Sequence, residues 1–133
     1  MQGKLNGLQI LLVEDDIDSA ELLTYIFQVA EASVVVAFSA LEATSHLAHF
    51  LPDILVSNIV LPEINGYELL HLVKNYEEKR GRQILAVALA ASNKDLDPLQ
   101  AKKTGFCRHF LKPIDPYDLV QELAILMAQN KTK

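Results

Sequence analysis

Three consecutive acids, Glu14, Asp15 and Asp16, follow directly on the apolar run Leu11-Leu12-Val13. Carboxylates placed about 4 Å apart repel by roughly 4 kcal/mol at an effective dielectric near 20. A cation relieves that repulsion, and hard oxygen ligands suit Mg²⁺. The alternative needs no ligand: one acid caps a helix and the others are solvated, and spacing alone favours it. Lys112, after a second apolar segment, shifts the balance. A lysine beside such a cluster can hold an anionic group as a point charge.

The elements that must position these residues alternate along the chain. Residues 8–13 form a continuous apolar run, and Ala20, Leu23, Phe27 and Ala30 share one face of a helix over 17–30. Residues 33–38 are β-branched and apolar, a second strand. Ser39 with Glu42 reads as a capping box for a helix running to about Phe50. Residues 54–57 make a short buried strand after Pro52-Asp53. A turn-rich loop, 58–66, leads to a helix capped by Asn65, with Leu69, Leu72, Val73 and Tyr76 on its inner face. Residues 84–89 are a fourth strand, 93–105 hold a short helix ending at Gly105, and 107–111 are a fifth strand. Asp115-Pro116 opens the last helix, an acid cap with proline at the first turn.

Strands separated by helices imply a parallel sheet with right-handed crossovers and helices on both faces, an α/β fold. Such sheets carry their working residues beyond the carboxyl ends of the strands. That rule selects the three acids, Asn58, Ala90, Ala91, Lys112 and Pro113.

Composition narrows the function classes. The 133 residues suit one domain, 1–133 with a core over about 8–129, and half are hydrophobic. The net charge of −5 disfavours direct nucleic-acid binding, which needs clustered Lys and Arg. Residues 84–91 are too short to span a bilayer, and the start lacks a signal peptide's apolar region. The single cysteine, Cys107, excludes a disulfide framework and reads as a small core hydrophobe. The expected location is the cytoplasm. None of the five glycines sits in a GxxxxGK or GxGxxG pattern, and no Gly-x-Ser-x-Gly elbow occurs. His46, His49 and His71 read as surface or interhelical residues.

Three blocks together resemble the receiver domain of two-component response regulators. They are Ile10-Leu11-Leu12-Val13-Glu14-Asp15-Asp16, then residues 52–66 (PDILVSNIVLPEING), then Phe110-Leu111-Lys112-Pro113. The resemblance runs from about Leu8 to Leu126. It implies a flavodoxin-like (βα)5 domain with a five-stranded parallel sheet of order 2-1-3-4-5. It implies that Asp15 ligates Mg²⁺ directly, that Glu14 acts through water, and that the Val60 carbonyl is a further ligand. Lys112 would contact the phosphoryl group, and its bond to Pro113 is usually cis in this family. His109 falls where the family often has a swinging aromatic ring; the residue itself reads as partly exposed and capable of titrating near neutrality.

Two positions depart from the family. The phosphate-accepting aspartate falls at Asn58, and the Ser or Thr that bonds the phosphoryl oxygen falls at Ala90. A carboxylate attacks phosphorus because it carries charge; a carboxamide oxygen is neutral. Asn58 is therefore not expected to form an acyl phosphate, and Mg²⁺ binding should be weak. Ser57 should face away from the pocket by strand alternation, and Ser92 is a remote substitute. The expected function is a receiver-like signalling module of a two-component or phosphorelay pathway, acting by protein contact rather than catalysis. Its partner would be a sensor kinase, another receiver or an output domain, meeting the face from about 94 to 129. One rival is an ordinary phospho-accepting response regulator, with Asn58 an engineered substitution or with Asp53 or Asp16 as acceptor; Ala90 argues against a one-site block. Another is a small flavodoxin-like enzyme or ligand-binding domain, since fold does not fix function.

Overall fold

The computed structural model describes residues 3–62, 64–91 and 105–131. Five strands alternate with helices: β1 (Gln9–Val13), α1 (Ile17–Val29), β2 (Ser33–Ala37), α2 (Ala40–Leu47), β3 (Ile54–Asn58), α3 (Gly66–Arg80), β4 (Leu85–Ala90), β5 (Arg108–Leu111) and α4 (Pro116–Lys131). All strand pairings are parallel, in the order β2-β1-β3-β4-β5, as the sequence implied. The helix expected over 93–105, and Ser92, lie outside the described residues, apart from Gly105.

Strand alternation sorts the apolar residues into two cores. Leu11, Val13, Leu55, Ala86 and Ala88 face α2 and α3, meeting Leu47, Leu69, Leu70 and Val73. Ile10, Leu12, Ile54, Val56, Val87 and Leu89 face α1 and α4, meeting Leu23, Phe27, Leu119 and Leu123. Leu5, ahead of the first strand, is fully buried in this second core, and its N–H bonds to the Ala30 carbonyl at 2.9 Å.

The caps explain where the helices begin. Asp16 accepts from the Ser19 N–H at 2.9 Å, Ser39 from Glu42 at 3.1 Å, Asn65 from Glu68 at 2.9 Å, and Asp115 from Tyr117 at 2.9 Å. α2 ends at Leu47, short of the expected Phe50; the N–H groups of His49 and Phe50 both turn back to the His46 carbonyl, at 3.0 and 3.1 Å, and close the helix in a turn. Arg80 then donates to the carbonyls of Leu47 and Ala48, at 3.3 and 3.2 Å, satisfying that helix end.

Two packing expectations need correction. Leu72 does not line the inner face of α3; it is exposed, because the buried stripe runs through Leu69, Leu70 and Val73, which leaves Leu72 on its flank. Cys107 is exposed rather than a core residue. Phe106 takes the inward position, meeting Tyr67 edge-on at 5.9 Å, and alternation turns the next side chain outward.

Candidate functional site

The carboxyl ends of β1, β3 and β5 bring the predicted residues together. β1 pairs one residue past its strand, the Glu14 N–H bonding the Ala37 carbonyl at 3.0 Å, so the next side chains leave from a fixed edge. Glu14 continues the Ile10, Leu12 series and is wholly buried. Asn58 is the last residue of β3, one later than expected, paired with Leu89 of β4 and only 5 % exposed. Beyond β5, the Lys112 N–H bonds the Ala90 carbonyl at 2.8 Å, and the Lys112–Pro113 bond is cis.

Glu14 is the hub. Its Oε1 accepts from Lys112 Nζ at 2.7 Å. Its Oε2 accepts from Asn58 Nδ2, and from the Asp16 backbone N–H at 3.1 Å. Asn58 Nδ2 also donates to Asp15 Oδ1 at 3.0 Å. A carboxylate only accepts, so the amide presents its nitrogen to both acids. Its own oxygen, Oδ1, is buried with no hydrogen-bond partner.

The acids divide the two readings of the triplet between them. Asp16 is a helix cap, and hydrogen bonds from Ser19, side chain first and backbone second, hold its carboxyl below the ordinary 3.8. Glu14 and Asp15 form the pocket. Sequence reasoning gave Glu14 a subordinate part. Its position in the alternating buried series of β1 was the signal for a deeper one.

The other candidates fall as follows. Ala90 lies at the end of β4, with its methyl buried in the core under α2 and α3. Val60 is on the loop past Asn58, with its side chain exposed. Ser57 is buried and donates to the Asn58 carbonyl at 2.9 Å. His109 is half-buried, its ring edge-on to Phe106 at 6.0 Å, and burial holds its imidazole below the ordinary 6.5. Asp53 lies at the opposite edge of the sheet, accepting from Gln9 N at 2.8 Å and pairing with Arg82 at 2.9 Å. That placement removes it as a substitute acceptor. Sequence reading placed Gly66 in the turn-rich loop but missed its close packing. Its N–H bonds the Ile59 carbonyl at 2.6 Å, and a Cβ there would collide with the Asn58 carbonyl oxygen.

A family model for the response regulator receiver domain matches residues 10–124. The chain belongs to that family. An uncharacterized 14.6 kDa protein from Leptolyngbya boryana is 38% identical over 117 residues, 88% of each chain. The Regulator of RpoS of Escherichia coli K12 is 31% identical over 92% of this receiver, which spans only 35% of that protein. The response regulator Rre1 of Synechocystis is 31% identical over 93% of it, which is 53% of that protein. Among solved structures, a two-component response regulator from Clostridium difficile superposes with TM-score 0.83 at 19% identity, covering 95% of this chain and 99% of that one. The receiver domain of Saccharomyces cerevisiae Ssk1, solved with the histidine phosphotransfer protein Ypd1, gives 0.78 at 21%, covering 89% and 87%. At these identities the superpositions establish the receiver fold alone.

The family resemblance implies Mg²⁺ held directly by Asp15 and the Val60 carbonyl, with Glu14 acting through water. The donor set does not fit the ion. A divalent cation needs free oxygens; Asp15 Oδ1 already accepts from the Asn58 amide nitrogen, and those of Glu14 face an ammonium, the same amide nitrogen and a backbone N–H. Among the described residues, no group of three His, Cys, Asp or Glu is placed to hold a metal. No described helix is long and apolar enough to cross a membrane.

Proposed function

We propose that this receiver signals through protein contacts without aspartyl phosphorylation. One observation carries the reading. The residue at the acceptor position turns an N–H donor, not a charged oxygen, toward Glu14 and Asp15. Phosphoryl transfer needs a nucleophile with an available electron pair, here a carboxylate oxygen, and a pocket that steadies the charge on the moving group. Asn58 offers a neutral carboxamide, its nitrogen lone pair delocalised and both its N–H bonds committed. Ala90 adds no hydroxyl at the strand end where a phosphoryl oxygen would seek one.

The partner class is a sensor kinase, a phosphotransfer protein, another receiver or an output domain. The face from about 94 to 129 supports this through its described part, where Leu111, Tyr117 and Ile125 stay exposed. Large apolar side chains left in water are the material of a protein interface. No catalytic role is assigned to the chain.

The test is incubation with acetyl phosphate and Mg²⁺, followed by intact-mass measurement. Wild type should keep its mass, and Asn58→Asp should gain a phosphoryl group. A wild-type adduct mapped to the strand ends around Asp15 and Asn58 overturns the reading. Capture of the same partner by wild type and by Asn58→Asp tests whether contact is independent of phosphate.

A further inference from the structure

We propose that Asn58 and Lys112 together take the place of a divalent cation, so that the acidic pocket is complete without Mg²⁺. The inference goes beyond the phosphorylation reading, because an amide could refuse phosphate and still tolerate a metal beside it.

The argument rests on how the carboxylate oxygens are used. Glu14 is fully buried, and an unpaired carboxylate there would be costly. Lys112 satisfies one oxygen at 2.7 Å, and Asn58 satisfies the other. The second hydrogen of the same amide nitrogen reaches Asp15 at 3.0 Å. One NH₂ group thus bridges the two acids that a metal would otherwise bridge. The amide pays for this with its own acceptor, since Oδ1 is left buried and unpartnered. The arrangement therefore favours serving the carboxylates over satisfying Asn58 itself.

Admitting Mg²⁺ would undo it. The ion demands near-octahedral oxygen ligands at about 2.1 Å. Asn58 would have to rotate to present Oδ1, breaking both bonds to the acids, and Lys112 would have to leave or share Glu14. The same geometry says what an aspartate at 58 does: it replaces the bridging donor with a third carboxylate, and the pocket then needs the metal.

Thermal melting in EDTA and in excess Mg²⁺, at matched ionic strength, tests this. Wild type should melt at the same temperature in both. Asn58→Asp should melt lower in EDTA and rise by about 4 °C with Mg²⁺. A saturable rise for wild type overturns the proposal. Should Asn58→Asp not fold, Mn²⁺ addition to wild type decides alone. Unbroadened backbone resonances at Asp15 and Val60 support the inference, and selective broadening there overturns it. Metal binding without a phosphate adduct would sink this inference alone. A phosphate adduct on a protein whose melting ignores Mg²⁺ would sink only the phosphorylation reading.

Discussion

Two acid–base clamps sit at opposite ends of the strands. At the amino edge, Asp53 holds the Gln9 N–H and the Arg82 guanidinium, tying β1 to the start of β3 and to the turn after α3. At the carboxyl edge, Glu14 holds Lys112 and Asn58, tying β1 to β3 and β5. The ion-pair distances are alike, 2.9 and 2.7 Å. Their surroundings differ. The Arg82 and Asp53 side chains are 53% and 24% exposed, whereas those of Lys112 and Glu14 are 28% and 1%. Water and salt weaken the first pair. The second has little water to fall back on, so losing one partner strands the other. The same pairing is thus a fastening at one edge and a charge-balanced pocket at the other.

The largest expected effect is at the buried clamp. Lys112→Met should lower unfolding free energy by about 3 kcal/mol at neutral pH, read from urea denaturation, because Glu14 loses the one cation paired with it among the described residues. A loss under about 1 kcal/mol would erase the distinction between the two edges. Asn58→Ala should cost about 2 kcal/mol, since both acids lose a donor while the orphaned amide oxygen goes too. Asp16→Ala should lower stability by less than Asn58→Ala, through loss of the α1 cap, and should leave the pocket contacts in place. Arg82→Gln should cost no more than about 0.5 kcal/mol and shrink further in high salt.

The smallest effect is with pH. Burial holds His109 below 6.5, so the unfolded chain takes up its proton first. Stability from this group is complete above 6.5 and declines as pH falls toward the lowered folded value. Melting temperature should therefore drop less in His109→Gln than in wild type between about pH 7.5 and pH 5.5. Asp16 acts at lower pH: its depressed carboxyl adds stability above 3.8 that is lost on acidification through the folded value.

Much of this was legible before any coordinates. Apolar runs and caps at Ser39, Asn65 and Asp115 gave the alternating elements and helices on both faces, while the strand order came from the family resemblance. Asn58 and Lys112 were marked by the rule that places working residues beyond strand ends. What stayed hidden depended on contacts between distant segments. No local pattern announces that Asp53 meets Arg82 or that Arg80 closes α2, because both rely on α3 returning beneath the sheet. Leu72 and Cys107 misled because apolar character does not say which flank of a stripe a residue occupies. The direction of the Asn58 amide is fixed only by its neighbours' lack of donors.

The tight turn at Gly66 has a mechanical consequence. With no side chain there, the first turn of α3 presses against the backbone at 58 and 59, leaving no slack between strand tip and helix. A protein that grips and tilts α3 would tug the floor of the pocket directly. Conversely, Gly66→Ala would wedge the two apart and uncouple them.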